Sequence, residues 1–319
     1  MTQTDRPHAR PDIPGQPAAA LLGPAAASAS ASASVSGSAT AEPVITVDTV
    51  TKRFVQRRKA GLLHRQRTVF TAVDQVSFTI AAGELIGYIG PNGAGKSTTI
   101  KMLTGILMPT SGQLTVAGLT PQRDRVKLAR QIGVVFGQRT SLWWDLPLGD
   151  SFALLQRLYR VPPARFRANL DKYVQALDLG PLLDKPVRQL SLGQRMRGDI
   201  TAALLHDPMI IYLDEPTIGL DIVSKKAVRE FLHTLNVENG TTILLTTHDI
   251  GDIERLCSRV IAIDHGRVGF DGTLDQLRAG RDLETAVTEL YLGGLDPEAA
   301  TEAATLAAAE TSASAAASA

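Results

Sequence analysis

The residues Gly90-Pro91-Asn92-Gly93-Ala94-Gly95-Lys96-Ser97 satisfy the spacing G-x-x-x-x-G-K-[ST]. Glycines at those steps let a backbone curl its N–H groups around phosphate oxygens, where a Cβ would collide. A helix starting there points the positive end of its dipole at the same anion. The lysine then reaches β- and γ-phosphates, and the Ser97 hydroxyl is a hard oxygen suited to Mg²⁺. A second cluster, Asp214-Glu215, closes the apolar run Met209-Ile210-Ile211-Tyr212-Leu213. Carboxylates at the C-terminal end of a buried strand stand where ligands of parallel sheets bind. Asp214 can then hold Mg²⁺, and Glu215 can orient or deprotonate an attacking water. Alone, Asp-Glu-Pro after a strand reads more readily as the approach to a helix cap. Beside a phosphate loop, the catalytic reading is the better one.

These groups need a scaffold, and its elements are visible in the apolar pattern. Leu85–Ile89, bounded by Gly83 and Gly90, predicts a buried strand, and Ser97–Leu107 predicts the helix after the loop. Short strands are expected at Val44–Val47, Val76–Ile80, Gly133–Phe136, Met209–Leu213 and Thr242–Thr246. A hairpin is expected at Val260–Ile263 and Val268–Phe270, with His265-Gly266 near its turn. Ser151–Leu190 carries helical spacing, as in Leu154, Leu155, Leu158 and then Leu170, Tyr173, Val174, Leu177. Strands alternating with helices imply an α/β fold around a mainly parallel sheet covered on both faces. The helical block at about 140–195 is an insertion between strands.

Composition bounds the function. The chain has 319 residues, 44% of them hydrophobic, with 33 Lys+Arg against 32 Asp+Glu. A net charge of +1 gives no whole-chain reason to expect nucleic acid. A single cysteine, Cys257, excludes an internal disulfide framework and a Cys-rich zinc site, and fits a reducing cytoplasm. Residues 1–42 are Pro/Ala/Ser-rich and residues 293–319 are Ala-rich, so neither repays its ordering entropy by burial, and disordered tails are expected. Arg6, Arg10 and Ala18–Leu22 imitate a secretory signal, but Pro14, Pro17, Pro24 and the Ser alternation spoil its apolar stretch. Nowhere do ~18 consecutive apolar residues occur, so no membrane span is expected.

After the phosphate loop come Gln138 in Val134-Val135-Phe136-Gly137-Gln138, then Leu190-Ser191-Leu192-Gly193-Gln194 and Asp214-Glu215. Gly219-Leu220-Asp221 and Thr247-His248-Asp249 follow. In that order these residues resemble an ATP-binding cassette (ABC) ATPase over residues 43–292, as its Q-loop, signature, Walker B, D-loop and H-switch. The resemblance implies a P-loop NTPase core with a small antiparallel β subdomain and an inserted helical signature subdomain. It implies ATP and Mg²⁺ as cofactors. It also implies a head-to-tail homodimer in the ATP-bound state, each ATP lying between one copy's phosphate loop and the other's signature. Implied ATP contacts are Phe54, Gly90, Pro91, Asn92, Gly93, Ala94, Gly95, Lys96, Ser97 and Thr98, with Ser191, Gly193 and Gln194 of the signature. Implied Mg²⁺ ligands are Ser97, Gln138 and Asp214, and implied catalytic residues are Glu215, His248 and Gln138. Phe54 stands where the family commonly stacks a Tyr on adenine, and a phenyl ring keeps that π-face. Leu192 replaces the usual signature Gly, which alters the backbone's approach to the opposing phosphate.

The stretch Gly137 to Pro147, with Leu-Ser-Leu-Gly-Gln-Arg-Met-Arg and Asp-Glu-Pro-Thr-Ile-Gly-Leu-Asp, looks like the ATPase subunits of ABC-2 type exporters. There, one ATPase chain serves separate multi-pass permease chains. The implied protein is cytoplasmic, peripheral on the inner face of the cell membrane through its permease, and drives export. An importer ATPase shares the chemistry. A soluble ABC mechanoenzyme of ribosome or DNA is disfavoured by the single cassette and the absence of a long heptad array or cysteine cluster, and no nucleic-acid partner is expected. An insertion-like loop between Phe54 and Asp74 bears Arg57, Arg58, Lys59, His64, Arg65 and Arg67 and no acids. It reads as a solvated loop, or as a contact for anionic headgroups or a partner's acidic loop. Trp143-Trp144 reads either as one core and one edge tryptophan or as an anchor for a permease helix.

Overall fold

The computed structural model describes residues 43–59, 65–137 and 139–292. The central sheet has six strands: β3 (Leu85–Ile89), β5 (Ile132–Phe136), β6 (Ile210–Asp214), β7 (Thr242–Thr246), β8 (Arg259–Asp264) and β9 (Arg267–Thr273). Their order is β5-β6-β7-β3-β8-β9, parallel except for β9, which returns antiparallel to β8. The two turn residues between β8 and β9, His265 and Gly266, both take positive φ, as a tight hairpin requires. A second, antiparallel sheet has the order β2-β1-β4, from β1 (Pro43–Lys59), β2 (Arg65–Ala81) and β4 (Ser111–Val116).

Continuous apolar strands make two cores because successive side chains leave opposite faces of the sheet. Ile86, Tyr88, Tyr212, Leu244 and Ile261 pack with Ile45, Val73 and Phe78 of the antiparallel sheet and with α1 (Lys96–Leu103). Leu85, Ile89, Ile211, Leu213 and Leu245 face the other way. That second core is closed by α3 (Leu148–Tyr159), α4 (Pro163–Ala176), α5 (Leu192–Leu204), α6 (Ile222–Asn239) and α7 (Ile250–Leu256), whereas the single-turn α2 (Arg125–Leu128) puts Leu128 into the first. Two C-terminal helices, α8 (Leu274–Arg278) and α9 (Leu283–Leu292), add Leu277, Leu283 and Val287 to it. Parallel register sets the functional edge: Phe136 pairs with Asp214, and Asp214 with Thr246, so these strand ends lie level.

Several expectations change in detail. The strands expected at Val44–Val47 and Val76–Ile80 are each 17 residues long, and the basic stretch read as an insertion loop is their continuation as a paired arm from Lys52 to Lys59 and from Arg65 to Thr71. Phe54-Val55 and Val69-Phe70 are residue types that favour a strand, and they pair across the arm, Phe54 with Phe70 and Val55 with Val69. Residues 60–64, His64 among them, lie outside the described residues, as do residues 1–42 and 293–319. β4 has only Leu114 and Val116 buried, too sparse an alternation to be read before its pairing with β1 is known. The helix expected to Leu107 ends at Leu103, before Gly105 at φ 73°. The helical block is α3, α4 and α5, and α5 runs past residue 195 to Leu204. Among the described residues no helix is long and apolar enough to cross a membrane.

Gly133 of β5 shows how tightly α5 is laid on the sheet: a Cβ there would stand 2.5 Å from the Ala203 carbonyl oxygen. Gly133→Ala is therefore expected to destabilise the protein by about 2 kcal/mol, read as a lowered urea midpoint at unchanged slope.

Candidate active site

The phosphate loop leaves β3 at Ile89 and enters α1 at Lys96. Gly93 and Gly95 take φ of 87° and 113°. At Gly95 a Cβ would lie 2.5 Å from the Ala72 carbonyl oxygen of β2, so only glycine lets the loop pass this close. At Gly93 no atom lies within 4 Å of such a Cβ, leaving the loop's inner face open. Lys96 is buried, and its Nζ donates to the carbonyls of Gly90 (2.5 Å) and Pro91 (3.1 Å). Burial pushes the lysine pKa down, and the nearby Glu215 and Asp214 pull it partly back.

Asp214 ends β6 facing the loop. Its Oδ2 accepts from Ser97 Oγ at 3.1 Å and its Oδ1 from Thr246 Oγ1 at 2.7 Å. Glu215 follows in the left-handed region at φ 58°, a strained position for a non-glycine residue, with its N–H donating to the Thr246 carbonyl at 3.0 Å. Glu215 Oε1 is buried and lies 3.1 Å from His248 Nε2, close enough for an ion pair but not aligned as a hydrogen bond. Burial raises the Glu215 pKa, while His248 and Lys96 draw it back. A carboxyl held in this way suits proton transfer. The pair of hard oxygens on Ser97 and Asp214, already within hydrogen-bond distance, fits the donor set of Mg²⁺.

These groups share a cleft of about 700 Å³. Asn92, Gly93, Gly95, Lys96, Ser97 and Thr98 line it from the loop, and Asp214, Glu215 and His248 from the strand ends. Gly90, Pro91 and Ala94 build the loop without lining the cleft, the first two through their carbonyls to Lys96. Gln138 lies outside the described residues. Phe54 lines the far end, together with Phe70, which the sequence reading missed. The two are cross-strand register partners, so they stand on one face, and Phe70 is 55% exposed. Only the pairing of β1 with β2 reveals Phe70.

Ser191, Gly193 and Gln194 do not line this cleft. They open α5, where Ser191 Oγ accepts from the Gln194 N–H (3.2 Å) and Gln194 Oε1 from the Ser191 N–H (3.0 Å), a reciprocal cap. The Leu192 side chain seats on Gly219, where a Cβ would come within 2.8 Å of Leu192 Cδ2. Asp221 caps α6, accepting from the Ser224 N–H at 2.9 Å. Both tryptophans are well exposed, Trp143 at 40% and Trp144 at 50%, so neither is the core residue that one reading expected. The Arg195 guanidinium lies 5.6 Å from the Trp144 ring, a cation–π distance.

Behind the strand ends lies Asp252, fully buried on α7. It accepts from Thr217 Oγ1, Thr247 Oγ1 (3.0 Å) and Arg229 Nε, joining the segments after β6 and β7 to α6. Arg229 and Lys225 also reach Asp249, beside His248. The arrangement brings a phosphate loop, a Mg²⁺-suited oxygen pair and a base to one edge of a parallel sheet, which defines a nucleotide-hydrolysing α/β protein.

The comparisons carry this to a family. The family described as ABC transporter matches residues 73–218. The ABC transporter ATP-binding protein NatA of Bacillus subtilis (strain 168) is 34% identical over 234 residues, 73% of this chain and 91% of NatA. The Nod factor export ATP-binding protein I of Paraburkholderia xenovorans (strain LB400) is 38% identical over 230 residues, 72% of this chain and 74% of that protein. A solved dimeric ATP-binding cassette in a post-hydrolysis state, bound to ADP and Pi, aligns with TM-score 0.62 and 28% identity over 72% of this chain and 98% of its own. The chain belongs to the ABC transporter family, as an ATP-binding and ATP-hydrolysing subunit.

Removing the Asp252 carboxylate leaves Arg229 without its buried partner, and such losses cost about 3 kcal/mol. Asp252→Ala is expected to lower the free energy of unfolding by about that amount in guanidinium titration.

Proposed function

We propose that residues 43–292 bind Mg²⁺-ATP in the cleft below the phosphate loop and hydrolyse it to drive a separate membrane permease, in the direction of export. The observation that carries the chemistry is the convergence of Lys96, Ser97, Asp214, Glu215 and His248 on one cleft. Phosphate oxygens take over Lys96 donors now held by Gly90 and Pro91, and backbone N–H groups of the loop and of the first turn of α1 add to the neutralisation. Ser97, Asp214 and Gln138 would hold Mg²⁺, which would supply charge neutralisation to the bound phosphates. Glu215 accepts a proton from the attacking water as the water oxygen bonds to the γ-phosphorus and the bond to the leaving oxygen breaks. His248, beside Glu215 Oε1, faces the γ-phosphate. Phe54 and Phe70 together form the platform on which the base stacks.

A second copy completes the site. Ser191, Gly193 and Gln194 form a helix N-terminus that suits an anion yet stands outside the cleft of its own chain, which supports a head-to-tail pair. The dimeric cassette among the similar structures supports the same reading. The exposed Trp143-Trp144 pair supports a permease helix as the partner on the cytoplasmic face of the membrane. Export is supported by relatives named for it, the Nod factor export protein and the daunorubicin resistance protein DrrA3 of Streptomyces coeruleorubidus.

Glu215→Gln keeps the shape and loses the base. It is expected to bind ATP with wild-type affinity while kcat falls by about a hundredfold or more in a phosphate-release assay. Near-normal turnover would remove Glu215 from this role. Phe54→Ala and Phe70→Ala are each expected to raise the KM for ATP about tenfold with kcat little changed. An unchanged KM in Phe70→Ala would leave the base to Phe54 alone.

A further inference from the structure

Asp199 is a buried carboxylate in the middle of α5, 5% exposed, and the chemistry described above does not use it. All its identified donors come from the loop that leaves β5: Thr140 Oγ1 at 2.9 Å, the Ser141 N–H at 2.8 Å and Ser141 Oγ at 3.0 Å. Burial raises the Asp199 pKa, and these hydrogen bonds and the Arg195 charge draw it only partly back. Apolar packing adds to the tie. Gly198 on the same helix lets Leu142 and Leu148 approach so closely that a Cβ would lie 3.1 Å from each.

The loop is fixed at its other end too. The Gly137 N–H donates to the Asp214 carbonyl at 2.7 Å, and a Gly137 Cβ would lie 2.8 Å from that same oxygen. Two residues therefore separate an anchor on the carboxylate edge from an anchor on α5, and so short a span has little slack to take up a shift between them. Beyond Ser141 the chain is pinned again: the Trp143 N–H donates to Ser151 Oγ of α3 (3.2 Å), and Arg195 of α5 lies over Trp144. From Ser191 to Asp199 the helix covers about 12 Å, which a rigid rod transmits without loss.

We propose that Asp199 is a positioning residue that locks the loop after β5 to the signature helix. The carboxylate edge, the helix end at Ser191 and the Trp143-Trp144 surface then shift as one linked unit when nucleotide binds. The inference rests on the nucleotide reading of the cleft and adds to it the side chain that joins the parts.

The chain's two tryptophans sit on this unit, so their emission reports its movement. The experiment uses the full chain and titrates Mg²⁺-ATP while recording tryptophan emission, ATP binding by equilibrium dialysis, and steady-state turnover. Three variants are compared: Asp199→Leu, which removes the acceptor; Asp199→Asn, whose amide oxygen still accepts; and Thr140→Val/Ser141→Ala, which removes side-chain donors while leaving α5 untouched. Wild type is expected to change emission with ATP. Asp199→Leu and the Thr140/Ser141 variant are expected to bind ATP within about twofold of wild type, to lose most of the emission change, and to lose about fivefold in kcat. Asp199→Asn is expected to recover much of both signals. Full emission response and kcat in the Thr140/Ser141 variant, folded by its melting curve, would overturn the tie, as would an emission signal in wild type that ignores ATP. Absence of Lys96-dependent ATP binding in wild type would overturn the nucleotide reading itself, and this inference with it.

Discussion

A lysine held out of water beside two carboxylates is the constraint around which this protein is arranged. Lys96 is nearly buried, and a buried ammonium persists only when its protons are accepted and its charge is answered. Gly90 and Pro91 accept its protons, while Asp214 and Glu215 answer the charge. The carboxylates reach it because β6 is parallel to β7, β7 to β3, and all three end at one edge. A different register would carry the anions away from the cation and leave both unpaired.

That edge is held by hydrogen bonds arranged in depth. Thr246 at the end of β7 supports Asp214 through its side chain and Glu215 through its carbonyl, so the strand carrying His248 also sets the two acids. One layer behind, Asp252 gathers Thr217, Thr247 and Arg229 and fixes the segments on which Glu215 and His248 ride. The strained φ of Glu215 is stored in this frame. The signature helix stands apart from the cleft, joined through Asp199 on one side and the Leu192–Gly219 contact on the other. A subunit built in this way keeps the cleft at the sheet edge apart from the helix end at Ser191, and the proposed head-to-tail pair would bring the two together across copies.

The amino-acid sequence by itself determined what depends on a few neighbouring residues. The phosphate loop, the strands Leu85–Ile89 and Thr242–Thr246, the Asp214-Glu215 pair and the reciprocal cap at Ser191 are local, because glycine φ, apolar runs and capping bonds act within a handful of positions. Tertiary structure decided whatever joins distant segments. Phe70 belongs to the cleft only because β2 pairs with β1 in one register, and β4 is a strand only because β1 supplies its partner. The basic arm is extended rather than looped for the same reason. Asp199 and Asp252 are single acids in helices, and their burial depends on distant segments: the Ser141 N–H reaches Asp199 from 58 residues away, and Thr217 and Arg229 reach Asp252 from 35 and 23 residues away. Backbone conformation is encoded locally, whereas burial and hydrogen-bond partnership across such separations exist only once the chain has closed on itself.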